Sequence, residues 1–262
     1  MRGHRWLTST LVAAALAGPP AFAAQPQGTQ AGVAQQAVVE PQADQVLRKM
    51  SDYLKGQQSF TFDTNSTQEA VTTEGQKLDF ESAQQVAVRR PDKLRSERKG
   101  PATATEFLYN GKDFTVYGQK SGFYATAPAP AQLDQAIDAA RAKFNIDAPA
   151  ADLLVSDPYT ALMNGVTEGR YVGLETLNGA RVHHLAFRGK DADFQLWVDA
   201  GDQAIPRKFE ITSKDVAGQP EYSVNISNWK SNASLPDSFF NFQPPAGAQR
   251  VPLEPGSTAP TP

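Results

Sequence analysis

The chain has no cysteine among its 262 residues. That excludes disulfides, thiolate metal sites, a thiol nucleophile and a cysteine acceptor for a lipid anchor. Long apolar runs are also missing. The stretch from Leu7 to Ala17 is shorter than the about 20 residues a membrane-spanning helix needs, and no later stretch is long enough. Positive charge is not in excess. With 25 basic and 28 acidic side chains the net charge is −3, which is no footprint for nucleic-acid phosphates. The motifs G-x-S-x-G, H-E-x-x-H, G-x-G-x-x-G and G-x-x-x-x-G-K-[ST] do not occur. The expectation is a protein that is not an enzyme and needs neither cofactor nor metal.

What is present begins with a leader. Arg2 and Arg5 precede the apolar stretch, and Ala21-Phe22-Ala23 has the small-x-small form of a cleavage site. Residues 1–24 read as a signal peptide and 25–41, rich in Gln, Ala and Gly, as a flexible tether. Residues 42–252 read as one domain and 253–262 as a disordered tail.

Within the domain, Ala43, Val46, Leu47, Met50 and Leu54 recur at helical spacing, so a helix is expected over 42–55 with Gly56 as its stop. From Ser59 the period becomes two, as in Phe60 and Phe62 or Val86 and Val88. Asn110-Gly111 and Asn178-Gly179 are hairpin turns. Leu133, Ala136, Ile137, Ala140 and Phe144 form one apolar stripe of a helical insertion between two blocks of strands. The stretch from Arg181 to Trp229 is strand after strand. The sum is an α+β fold: a curved, incomplete antiparallel barrel of about eleven strands, wrapped around the N-terminal helix and an inserted helical lid.

Four groups of residues could carry chemistry. His183 and His184 are adjacent on a strand and face opposite ways, so they are poor joint metal ligands; Asp191 and Asp193 lie within reach across the next turn. We read the pair as structural. Arg89, Arg90, Lys93, Arg95 and Arg98 crowd one strand pair and could dock an acidic partner, although charge runs are usually solvated faces. Asp79, Glu81, Glu97 and Glu106 show no spacing that selects an acid–base pair. The largest group is apolar: Phe60, Phe62, Leu78, Phe80, Phe107, Tyr109, Phe114, Leu133, Ile137, Phe194, Leu196, Phe209, Ile211, Tyr222 and Val224. It could line a ligand cavity or fill a dry core, and composition does not separate the two.

Several short motifs recur together. They are Arg90-Pro91-Asp92-Lys93-Leu94-Arg95, Tyr109-Asn110-Gly111-Lys112, Asp157-Pro158-Tyr159, His184-Leu185-Ala186-Phe187-Arg188, Gln195-Leu196-Trp197-Val198, Pro206-Arg207-Lys208 and Phe240-Asn241-Phe242-Gln243-Pro244-Pro245. In this order they resemble a family of predicted periplasmic proteins of unknown function, itself similar to the LolA/LolB and LppX/LprG carriers. The resemblance implies a periplasmic location, a barrel plugged by helices and an apolar cavity for lipid or lipoprotein acyl chains. With no cysteine for a lipid anchor and no spanning stretch, the expectation is a soluble, monomeric carrier; the alternative is a sensor or scaffold that binds an envelope protein.

Overall fold

The computed structural model describes residues 38–253 apart from 102, 145 and 147. The leader, the tether up to residue 37 and the tail from residue 254 lie outside the described residues. One short strand lies at each chain end of the fold: β1 is Val38–Val39 and β13 is Gln249–Arg250. Between them run α1 (Pro41–Lys55), then a meander of β2 (Ser59–Val71), β3 (Lys77–Arg89), β4 (Lys93–Lys99), β5 (Ala104–Tyr109), β6 (Asp113–Gly118) and β7 (Phe123–Pro128). An insertion follows: α2 (Leu133–Phe144), a 3-10 turn (Ala151–Leu153) and α3 (Pro158–Met163). A second meander completes the sheet with β8 (Val166–Leu177), β9 (Ala180–Gly189), β10 (Ala192–Asp199), β11 (Pro206–Ser213) and β12 (Glu221–Ser231).

All thirteen strands form one sheet, ordered β1-β8-β9-β10-β11-β12-β2-β3-β4-β5-β6-β7-β13. Eleven are full strands joined antiparallel, as the sequence suggests. The two extra ones are two-residue strands that pair parallel with β8 and β7 at the edges. Val38 and Val39, assigned to the tether from sequence, are thus part of the sheet. Gly169 makes this possible: a Cβ there would meet the Phe187 ring at 2.7 Å and the Val39 side chain at 2.9 Å. The two meanders meet at β12 and β2, whose antiparallel register runs from Tyr222 opposite Gln68 to Ser231 opposite Phe60.

The sheet is open and curved. Inner-face side chains from β2 to β7 and from β9 to β12 converge on the same two helices and form one core with them. Helix α1 starts where Pro41 occupies its first turn, with Asp44 there and Lys55 in the last turn, both favourable to its dipole. Its stripe of Ala43, Leu47, Met50 and Leu54 is fully buried. Asn178 and Gly179 both take positive φ, 49° and 82°, and make the two-residue turn that joins β8 to β9. Asn110-Gly111 instead opens a longer loop, because the Asn110 side chain accepts hydrogen bonds from the Lys112 and Asp113 amides at 3.0 and 2.9 Å.

Candidate functional site

Period-two alternation places the strand members of the apolar group on the inner face, Leu133 and Ile137 lie on α2, and the helices then decide the fate of the group. Ten of its members are buried in the core: Phe60, Phe62, Tyr109, Phe114, Leu133, Ile137, Phe194, Leu196, Phe209 and Val224. Phe107, Ile211 and Tyr222 pack against that core while partly exposed. Leu78 and Phe80 do not join it. They sit opposite Ala70 and Gln68, where the 13-residue strands β2 and β3 run past the helices, and Leu78 is 38% exposed. The face is filled from above: Phe144 of α2 meets Phe114 edge-on at 6.0 Å, and Trp229 stacks on Phe60 and Phe62 at 4.8 and 5.3 Å.

The insertion is fastened by polar contacts of its own. The Asp134 carboxylate accepts from the Ser156 amide at 2.9 Å and from its hydroxyl at 2.5 Å. Arg141 pairs with Asp152 at 3.0 Å and donates to the Ala148 carbonyl. To the rest of the fold it is tied by Tyr159, whose hydroxyl donates to Asp44 at 2.6 Å, and whose amide donates to the Ser51 hydroxyl at 3.0 Å. The bond from Arg48, ahead of the one from Tyr159, holds the Asp44 carboxyl below its usual range. Arg90 reaches from the β3–β4 turn to the Val155 carbonyl at 3.0 Å, and burial lowers its guanidinium. Tyr109 donates to the Pro130 carbonyl at 2.6 Å, ahead of α2; burial and then Asp92 push its hydroxyl up to about 12.

The basic residues do not make one surface. Alternation sends Arg89 and Arg95 to the outer face, where each binds the chain's own segment after β12. Arg89 donates to the Leu235 carbonyl at 2.7 Å and pairs with Asp237. Arg95 pairs with Glu106 at 2.6 Å, donates to the Phe239 carbonyl and lies 4.7 Å over the Phe239 ring. Phe240, fully buried yet outside the main core, wedges under Arg89. Phe242 continues the strap between Tyr117 and Tyr124, and Gln249 then pairs with Phe123. Lys93 is used by Asp92 and the Asn110 carbonyl, and Arg98 by the Ser82 hydroxyl. The docking partner of Arg89 and Arg95 in this structure is the C-terminal strap itself.

The histidines separate as expected, but with other partners. On the outer face His184 stacks on Trp197 at 4.2 Å, its ring nitrogens facing Glu175 at 2.7 Å and Gln195 at 2.9 Å. Trp197 donates to the second Glu175 oxygen at 3.0 Å, and Lys208 lies 4.6 Å over the indole. The bond from His184, then that from Trp197, lowers the Glu175 carboxyl. Asp191 and Asp193 take no part: the Asp193 carboxylate accepts from Lys214 and the Gly189 amide. The missed signal was cross-strand register, which puts His184 opposite Trp197, and Gln195 opposite Glu210. On the inner side His183 pairs with the Tyr171 hydroxyl at 2.9 Å. It borders an open concavity of ≈ 520 Å³ with Leu174, Arg181 and the loop 199–201. A second, of ≈ 490 Å³, lies along α3 beside Tyr159 and Met163. Among the described residues no cluster of three His, Asp or Glu could hold a metal, and no helix is long and apolar enough to cross a membrane.

A family model described as predicted periplasmic protein (DUF2092) matches residues 43–254. None of the curated proteins matches the chain. Among solved structures, an uncharacterised conserved protein from Thermus thermophilus is 14% identical with a TM-score of 0.48, covering 80% of this chain and 99% of its own. LprF from Mycobacterium bovis is 21% identical with a TM-score of 0.48, covering 75% and 97%. A LolA superfamily protein from Nitrosomonas europaea is 14% identical with a TM-score of 0.35, covering 76% and 97%.

Proposed function

The chain belongs to the DUF2092 family of predicted periplasmic proteins, and on that footing we propose that it binds or carries lipid or lipoprotein acyl chains on its inner face. In this reading residues 1–24 are removed on export, and the mature protein acts as a monomer without cofactor or catalysis. The observation that carries it is one continuous apolar face covered mainly by helices, α1 and those of a separate insertion, together with Trp229 of β12. The described state is the closed one. Opening moves α2 away and uncovers Leu133, Ile137 and Phe144, at about 1.5–3 kcal/mol each. An acyl chain of about 14 methylenes, at about 0.8 kcal/mol per buried CH₂, returns about 11 kcal/mol to the same space. The two terms are of one size, so exchange of helix for ligand is energetically open. Ala136 and Ala140 add little apolar burial, and the bonds of Asp134 and Arg141 join α2 to segments of the same insertion, which can move with it.

Native mass spectrometry after mild purification, followed by uptake of a fluorescent fatty acid, tests this. Retained or acquired lipid, with faster hydrogen exchange in α2, is the expected result. A protein that never takes up lipid and whose α2 stays protected would sink the reading. The packed state of the inner face favours the second reading, a scaffold for an envelope protein. Its natural surface, around Arg89 and Arg95, is held by the strap. Charge reversal at Arg95 and Arg98 that left every pull-down partner in place would count against it.

A further inference from the structure

The open concavity at the rim of the inner face has a charge pattern that neither reading uses. Arg181 and His183 are two apart on β9 and so point the same way into it. Lys49 comes from α1, anchored by its bond to the Gly201 carbonyl at 3.0 Å. Among the described residues the Arg181 side chain makes no hydrogen bond or ion pair. Tyr171 occupies Nδ1 of His183, so Nε2 has no protein partner among the described residues. The acid at the site is already spent: Asp199 is gripped twice by Arg207, at 3.0 and 2.7 Å, and accepts from the Gly201 amide. Leu174 supplies an apolar wall.

We propose that Arg181, His183 and Lys49 form a binding site for a phosphoryl group, with Arg181 as the forked donor and His183 Nε2 and Lys49 completing the cradle. Arginine and lysine donate in geometries that suit phosphate oxygens, and a phosphate is the common anion that uses three such donors at once. The cations already feel one another: burial, then Lys49, then Arg181 lower the His183 imidazole from its ordinary value. A bound anion relieves that repulsion. The ligand has two sources, free phosphate or the headgroup of a lipid whose chains lie on the adjoining apolar face. The second source rests on the acyl-chain reading; the site itself does not.

The test is calorimetric titration of the whole mature protein with inorganic phosphate and with monomeric dihexanoyl phosphatidic acid, alongside dihexanoylglycerol as the uncharged control. The expected result is binding of phosphatidic acid or phosphate that weakens about tenfold in Arg181→Ala, the worth of one charge-assisted bond. Lys49→Ala should weaken it several-fold more when combined. Both residues are exposed at their charged ends, and unchanged thermal unfolding confirms that each variant folds. Perturbed amide signals of Arg181, Ala200 and Gly201 would place the ligand. Phosphate binding without any lipid uptake leaves the site standing and removes the acyl-chain reading. Equal binding of the glyceride and the phosphatidic acid, unaffected by Arg181→Ala, does the reverse. No binding of either phosphoryl ligand overturns the site.

Discussion

Removing the Phe240 ring is the sharpest probe of how the C-terminal strap is held on the outer face of the sheet. Phe240 is 0% exposed, stands edge-on to Phe239 at 5.3 Å and lies 5.5 Å beneath the Arg89 guanidinium. Phe→Ala at a buried site costs about 3–5 kcal/mol, a value that includes the cavity left behind. The strap is a surface element that can settle inward, so the low end, about 3 kcal/mol, applies to Phe240→Ala. With a urea m-value of about 2–3 kcal/mol/M for a domain this size, the midpoint should fall by about 1–1.5 M with m unchanged. Asp237→Ala is the matched control. It removes the charge partner of Arg89, but Asp237 is 78% exposed, and solvent screens such a pair, so this variant should lose far less stability. Hydrogen exchange should rise in Phe240→Ala at Gln249 and Val251, whose amides donate to the Gly122 and Tyr124 carbonyls. A loss below about 1 kcal/mol for Phe240→Ala, or an equal loss in both variants, would refute the wedge.

Two further outcomes follow from the inner face. Leu196→Ala, at a fully buried position, should cost about 2–5 kcal/mol by chemical denaturation, while Leu78→Ala should stay within about 0.5 kcal/mol; similar costs would mean that the hairpin tip belongs to the core after all. His183 titrates below its ordinary 6.5 in the folded chain, so the unfolded state holds more protons between the lowered midpoint and about 6.5. Stability should therefore rise with pH through that window, and fall on acidification until the lowered midpoint is passed. His183→Gln should flatten this part of the stability–pH curve; identical curves for the two proteins would contradict the assignment.

Sheet and helices were legible because each has its own period. Helix α1 runs from Pro41 to Lys55 against the expected 42–55, and α2 coincides with the stripe from Leu133 to Phe144. What alternation within one strand does not contain is the neighbour. The partners of His184 come from β8 and β10, and only register brings Glu175 and Gln195 to it. The contacts of the basic cluster were hidden for a related reason. Counting charges along β3 and β4 ignored that Arg95 and Arg98 point to opposite faces, and that a segment far later in the chain supplies Leu235, Asp237 and Phe239 to meet Arg89 and Arg95. Leu78 and Phe80 keep the strand period yet leave the core, since period gives a face and not the distance along it over which helices reach.

The junction of β12 with β2 also fixes an order of events. Every other antiparallel pair joins strands adjacent in sequence and can form as soon as its hairpin exists. Strand β2, among the first to emerge from any N-to-C delivery of the chain, must wait for residues 221–231 before its second edge is covered. Until then a 13-residue strand presents open backbone donors and acceptors, with Phe60 and Phe62 beside them. Closing that long loop is the slow step that topology imposes. The chain is therefore most vulnerable to misassociation just before its last strands arrive, and an extended segment that mimics β12 would trap it in that state.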